Sequence, residues 1–225
     1  RPVMFGSEAN LAVRPANEYL FLVIASPVAS YFGEHLGAIS VAVEHEDVRA
    51  TVGGTGTAKF AGNYAAGFAA HTRARLAGLD QVLWLDAVDH RWIEELNAMN
   101  VVFVWDRDGR TVVTPPKLPG TILEGVTRDS LLTIAMDMAA SHDSGIEVVL
   151  AEPTSIEHLR AGAEHGPLHE AFACGTAAVV APIGRFVLDG HDLVLGDGLP
   201  GTVTLELRRR LLDIQYGRVP DPHGW

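Results

Sequence analysis

The chain has 225 residues, 17 Lys and Arg against 28 Asp and Glu for a formal charge of −11, and 48% hydrophobic residues. That is enough chain to bury the core of one large domain, or of one and a part. An acidic chain without a Lys/Arg cluster excludes a nucleic-acid binder, because neutralising phosphates needs a basic patch.

The apolar run from Tyr19 to Ala25 falls far short of the roughly 20 residues of a membrane helix, so no membrane partner is expected. A single cysteine, Cys174, allows no intrachain disulfide and suits a reducing cytoplasm. The opening Arg1-Pro2-Val3-Met4 has no secretory pattern and reads as strand already under way, so the chain is expected to be a piece of a longer one. Residues 18–28 form an apolar, β-branched run closed by Pro27, the pattern of a buried strand. Small residues and two glycines over 29–38 suggest a connection. Strand is predicted over 39–44, and 48–52 leads into Gly53-Gly54-Thr55-Gly56. Helical spacing over 63–79 ends near Gly78.

Further on, 81–85 reads as strand, and 99–105 and 111–113 as strands joined by the turn Asp106-Arg107-Asp108-Gly109. Leu131, Leu132, Ile134 and Ala135 give 127–140 one helical face, entered from Gly125. A strand over 146–151, a short helix over 155–163, a strand over 170–173 and a helix over 200–214 with Pro200 in its first turn complete the chain. Strands and helices mixed without strict alternation predict an α/β or α+β mixed sheet rather than a doubly wound fold.

The glycine-rich segment Gly54-Thr55-Gly56-Thr57-Ala58-Lys59 fits neither common phosphate loop. A dinucleotide fingerprint needs a third glycine where Lys59 stands, and a Walker loop needs Gly-Lys-Ser/Thr where the chain has Ala58-Lys59-Phe60. What remains is a turn that delivers one lysine, flanked by Ala58, Phe60 and Ala61, to the start of a helix. Burying an ammonium without a partner is costly. A lysine in such company is therefore either the neutral-capable amine of Schiff-base chemistry or a surface lysine that snorkels.

Ser141-His142-Asp143 has the letters of a hydrolase triad, but sequence neighbours cannot adopt its geometry, so a loop is expected. Glu44-His45-Glu46 and His165-Gly-Pro-Leu-His169 are poor metal sites, since Gly166 and Pro167 break the helix that would align the histidines, and no metal is expected. Cys174, at the end of an apolar strand, reads as structural. The amides of Gly125-Val126-Thr127-Arg128, opening a helix, are free to face an anion. Gly175-Thr176-Ala177 offers a second set of amides and a hydroxyl. Two such loops with an apolar-flanked lysine suggest a phosphorylated carbonyl cofactor, and pyridoxal phosphate is the common one.

Lys59-Phe-Ala-Gly-Asn-Tyr64, Gln81-Val-Leu-Trp-Leu-Asp86, Ile93-Glu-Glu-Leu-Asn-Ala-Met-Asn100, Leu123-Glu-Gly-Val-Thr-Arg128 and Gly175-Thr-Ala177 resemble, in order and spacing, the branched-chain aminotransferases of pyridoxal-phosphate fold type IV. Arg1-Pro-Val, Ala29-Ser-Tyr-Phe32, Ile214-Gln-Tyr-Gly217 and His223-Gly-Trp225 extend the resemblance nearly end to end. It implies the large domain of a D-amino-acid aminotransferase-like fold over 40–225, an interdomain loop over 29–39, and the last strands of a small N-terminal domain over 1–28.

The same resemblance implies site residues. Lys59 becomes the catalytic lysine bonded to the cofactor, Glu95 faces the pyridine nitrogen, Tyr64 meets the phenolic oxygen, and Val126, Thr127 and Thr176 hold the phosphate. Tyr31 lines the side-chain pocket, Thr176 and Ala177 meet the substrate α-carboxylate, and Arg1 meets the second carboxylate of glutamate or 2-oxoglutarate. Leu11 and Val13 belong to a loop that reaches the neighbouring subunit of a homodimer. The implied reaction moves the amino group of leucine, isoleucine or valine to 2-oxoglutarate by ping-pong kinetics. Another fold type IV enzyme, a D-amino-acid aminotransferase or an aminodeoxychorismate lyase, is the nearest alternative, and a catalytically silent domain is the alternative from another class. Glu124 stands where the family usually has proline, and Ala61 and Asn97 stand at common glycines.

Overall fold

The computed structural model describes residues 1–27, 36–141 and 145–225. Strands β1 (Pro2–Gly6) and β2 (Tyr19–Val23) pair antiparallel in a sheet of their own, Pro2 opposite Val23 and Gly6 opposite Tyr19. The loop between them is folded around Glu8, whose carboxylate accepts from the Arg14 guanidinium at 2.6 Å and from the Asn17 amide at 2.7 Å. The expected strand forms, but it is shorter than 18–28 and it is not buried. Tyr19, Leu20, Phe21, Leu22 and Val23 are all exposed, because a two-stranded ribbon supplies no second layer to cover them. Most of the expected connection, with Tyr31, and the His142-Asp143 pair lie outside the described residues.

Nine strands make the main sheet: β3 (Ile39–Val43), β4 (Gln81–Leu85), β5 (Ile93–Leu96), β6 (Asn100–Arg107), β7 (Arg110–Thr114), β8 (Ile146–Val149), β9 (Leu168–Gly175), β10 (Val179–Leu188) and β11 (His191–Val194). Their order is β5-β4-β3-β10-β9-β6-β7-β8, with β11 added along β10. The sheet is mixed, as expected. β3 runs parallel to β4 and β10, β7 parallel to β8, and the remaining pairs are antiparallel. Five helices accompany it: α1 (Ala61–Ala66), α2 (Phe68–Leu76), α3 (Val126–Ser141), α4 (Ile156–His165) and α5 (Thr202–Gln215).

Side-chain alternation along β6 explains why its sequence is apolar throughout. Val101, Phe103 and Trp105 enter one core with Leu159 of α4, while Val102 and Val104 enter a second with Leu131, Ile134 and Met138 of α3 and Leu207 and Leu211 of α5. A strand buried on both faces carries no polar alternation. A third cluster packs Ala70 and Ala74 of α2 on Val82 and Trp84 of β4.

Several expected elements differ in extent. The single helix expected over 63–79 is two helices interrupted at Gly67. The helix expected over 155–163 starts one residue later because Ser155 caps it, accepting from the His158 amide at 3.2 Å. Pro200 precedes the last helix rather than entering its first turn: Gly201 is the N-cap, and Glu170 reaches over from β9 to accept from the amides of Val203 and Thr204 at 3.1 and 2.8 Å. Strands β5, β10 and β11 were not expected from the sequence.

Candidate functional site

The carboxyl end of β5, the start of β6, the end of β9, the start of β10 and the loops before α1 and α3 gather at one end of these strands of the main sheet. Asn100 opens β6 opposite Cys174 at the end of β9. The turn 176–178 joins β9 to β10 beside them, and a Cβ on Gly175 would stand 3.4 Å from Met99 and 3.6 Å from the Ala98 carbonyl. Ala98 in turn lines a cleft with Arg49, Tyr64, Glu95, Asn97 and Leu123.

Glu95 is the centre of this arrangement, 4% exposed on a strand whose two consecutive acids, Glu94 and Glu95, are both buried. Its Oε1 sits 2.8 Å from Arg49 Nη2 and accepts from the Leu123 amide at 3.2 Å. Oε2 accepts from Asn100 Nδ2 at 3.0 Å, and the same nitrogen donates to the Leu123 carbonyl at 2.8 Å. Burial pushes the Glu95 carboxyl up to about 7, while the Arg49 charge, the Leu123 amide and the Lys59 charge pull it down and Glu94 pushes it up. Glu94 is raised by burial too, although its Oε1 accepts from the Thr121 hydroxyl and Arg49 opposes the shift; its Oε2 is buried without a hydrogen-bond partner among the described residues.

Asn63 shapes the lysine-bearing loop. Its Nδ2 donates to the carbonyls of Thr55 and Ala58 at 2.6 and 3.0 Å, and its Oδ1 accepts from the Thr55 hydroxyl at 2.7 Å. The loop passes so close to Thr121 that a Cβ on Gly56 would collide with the Thr121 carbonyl. Lys59 Nζ lies 5.6 Å from the centre of the Tyr64 ring. At the other loop, the first helical bond of α3 runs from the Asp129 amide to the Gly125 carbonyl at 3.0 Å, so the amides of Val126, Thr127 and Arg128 have no intrahelical acceptor and can face an anion.

The family model for class IV amino-transferases matches residues 1–186. The chain belongs to the class IV aminotransferase family. Over its whole length it is 48% identical to a Streptomyces coelicolor protein named "Probable branched-chain-amino-acid aminotransferase" and 44% identical to the branched-chain-amino-acid aminotransferase of Mycobacterium tuberculosis, covering 59% of each. The chain thus spans about 60% of the length of the curated relatives it matches. Among solved structures it superposes on the T.th. branched-chain amino acid aminotransferase with pyridoxamine 5'-phosphate with a TM-score of 0.82 at 29% identity, covering all of this chain and 67% of that one. The Escherichia coli branched-chain amino acid aminotransferase gives 0.81 at 26% identity with the same coverage. The mixed sheet is therefore that of the fold type IV enzymes.

Within this class IV aminotransferase fold, the structure brings Tyr64 and Glu95 to one cleft, sets Lys59 beside Tyr64, and places the loops carrying Thr127 and Thr176 at the border. Of the two settings left open for Lys59, the structure shows the exposed one. Ala58 and Ala61 are exposed and Phe60 turns outward, so the flanking residues form no apolar wall around the amine. Val126 is exposed, Thr127 is buried, and Thr176 and Ala177 are exposed in their turn. Arg1, Leu11 and Val13 lie on the β1–β2 ribbon, and among the described residues no hydrogen bond or ion pair joins them to the cleft. The departures Glu124 and Ala61 are exposed, whereas Asn97 lines the cleft with a buried Oδ1, directed at Gly67, that has no hydrogen-bond partner among the described residues. Cys174 is buried, and that burial pushes its thiol up to about 12, as befits a structural cysteine.

Arg49, Asn63, Asn100 and Thr121 had no role in the sequence reading. Arg49 carried the same signal as Lys59, a lone cation between apolar neighbours, Val48 and Ala50, ahead of a glycine-rich loop.

Proposed function

We propose that the chain is the cofactor-binding part of a branched-chain amino-acid aminotransferase, which moves the amino group of leucine, isoleucine or valine to 2-oxoglutarate with pyridoxal phosphate. The observation that carries this reading is Glu95: a carboxylate fixed by Arg49, Asn100 and the Leu123 amide and buried at the back of the cleft beside Lys59. The donor set fits the cofactor end to end. A buried acid suits a protonated ring nitrogen, the Tyr64 hydroxyl a phenolic oxygen, and the free amides of α3 with Thr127 and Thr176 a phosphate. The names of the relatives, and the two superposed aminotransferases, support the substrate class.

When bound, pyridoxal phosphate supplies an electron sink for the pair left when a substrate Cα–H bond breaks. The chain does the rest. Glu95 holds the positive charge at the ring nitrogen, and Lys59 Nζ accepts the Cα proton as a positioned general base and later returns a proton as acid. Thr176 and Ala177 orient the substrate by its α-carboxylate and Arg1 meets the second carboxylate of the glutamate pair, while the role at the aliphatic side chain falls by resemblance to Tyr31, outside the described residues. Two half-reactions through one site make the kinetics ping-pong. In this reading residues 1–28 close a small domain, 29–39 connect, and 40–225 form the large domain. Leu11 and Val13 reach a neighbouring subunit, so the enzyme is a homodimer, and the lone reduced thiol suits the cytoplasm.

The test is an absorbance titration of the full-length protein with pyridoxal phosphate, before and after L-leucine, alongside Lys59→Ala. The expected result is a visible band that moves to the ultraviolet with L-leucine and never forms in the variant. A band that ignores L-leucine but responds to D-alanine would transfer the chain to the D-amino-acid enzymes, and no band at all would end the cofactor reading.

A further inference from the structure

Arg49 is 8% exposed and lies in the short segment between β3 and the glycine-rich loop, so its guanidinium is fixed rather than solvated. Its Nη2 faces three oxygens from three separate segments: Glu95 Oε1 at 2.8 Å on β5, the Gly56 carbonyl at 3.5 Å on the lysine-bearing loop, and the Thr121 carbonyl on the segment leading to α3. An arginine that only balanced a buried acid would need the first contact alone. The other two tie together the segments that carry Lys59 and the α3 amides, and Gly56 allows the approach because any Cβ there would strike Thr121.

We infer that Arg49 is a positioning residue of this site: it favours the carboxylate form of Glu95 that would face a protonated ring nitrogen, and through the Gly56 and Thr121 carbonyls it sets the lysine loop in register with that carboxylate. The inference rests on the pyridoxal-phosphate reading given above. The charged and titratable groups facing Glu95 are Arg49 before the glycine-rich loop, Glu94 on its own strand, Lys59 before α1 and Cys174 at the end of β9. Glu94 disfavours the carboxylate, the Cys174 thiol is neutral and is itself pushed up by Glu95, and the exposed Lys59 is the only other described cation among these. Removing Arg49 therefore leaves Glu95 buried with its main counter-charge gone, and its titration moves upward.

Full-length apoprotein carrying carbon-13-labelled glutamate is titrated by NMR, with Glu95→Gln to assign the resonance, and pyridoxal phosphate affinity is measured across the same pH range. For Arg49→Met the Glu95 midpoint is expected to rise by about 1 to 3 pH units, the size of shift a close opposite charge produces, and the pH at which cofactor affinity sets in rises with it. Arg49→Lys keeps a charge but not the reach to both carbonyls, so its midpoint stays near wild type while amide hydrogen exchange over 56–59 quickens. A midpoint unchanged in Arg49→Met overturns the inference; if that variant does not fold, unchanged exchange in Arg49→Lys overturns it. Failure of wild type to take up pyridoxal phosphate would instead sink the cofactor reading, and the apoprotein titration would still decide whether Arg49 holds Glu95.

Discussion

Glu95 gives the site a signature in stability as well as chemistry. Its carboxyl, raised by burial to about 7, keeps its proton in the folded chain at pH values where an unfolded glutamate, near 4.5, has lost it. Over that window the folded state binds more protons, so stability falls as pH rises from about 4.5 to 7, by up to about 3 kcal/mol at roughly 1.4 kcal/mol per pH unit. Glu8 beside Arg14, Glu206 beside Arg209, and Glu157 beside Ser155 and Arg91 are held down at about 2 and act oppositely: they add stability as pH rises from about 2, and that gain is complete above 4.5. Apoprotein stability is thus expected to peak near the lower edge of the Glu95 window and to decline toward neutrality. Urea unfolding of wild type and Glu95→Gln between pH 4 and 8 measures this, and identical pH slopes would show that Glu95 is not raised. In the proposed reading cofactor binding would offset that cost, because a ring cation held at Glu95 would favour the carboxylate.

At the scale of elements, one side chain of β6 ties β5 to the segment that leads into α3. Asn100 bridges Glu95 and the Leu123 carbonyl, and Gly125 lies against it so closely that a Cβ would displace its carboxamide. Gly125→Ala is therefore expected to break one of two buried hydrogen bonds, costing about 1–3 kcal/mol, and to lower pyridoxal phosphate affinity while leaving α3 helical by circular dichroism. Wild-type affinity in that variant would separate the α3 amides from the cofactor. Such couplings were not legible in the sequence, whereas local elements were. Strand β4 forms over the residues expected, and the Asp108-Gly109 connection has both residues at positive φ, 57° and 76°, as a two-residue hairpin demands. Strand β10 was hidden by Pro182 and Gly184. Pro182 is tolerated because β3 pairs with β10 only from Ile183 onward, and the register shift next to it falls at Gly184. Strand β5 was hidden by Glu94 and Glu95, which only their tertiary partners allow to be buried. The residues proposed to hold the cofactor were legible as family motifs, but Arg49 and Asn100 act through contacts between separate segments, which no local pattern records.

The molecule as a whole divides into a sheet with covered faces and a ribbon without them. On β1 and β2, Met4, Phe5, Phe21 and Leu22 stay exposed, and in the intervening loop Leu11 and Val13 are fully exposed although the Glu8 clamp fixes the loop's base. A fixed loop that presents two bare aliphatic side chains is shaped to enter another surface, which is how the proposed homodimer would use it. Burying each of these side chains is worth about 1.5–3 kcal/mol, so the two loops of a homodimer, four side chains in all, would contribute roughly 6–12 kcal/mol to association. Replacing both with aspartate in the full-length protein changes both loops at once and is expected to weaken the dimer by at least about 10⁴-fold, each factor of ten costing about 1.4 kcal/mol. Sedimentation velocity across a dilution series reads that shift directly. Pyridoxal phosphate affinity should survive in the monomer, since Glu95, Arg49 and the α3 amides all belong to one chain, while KM for the amino acid should rise if Leu11 and Val13 serve the neighbouring site as proposed. A double variant that sediments as wild type at every concentration would mean that the ribbon loop takes no part in holding two subunits together.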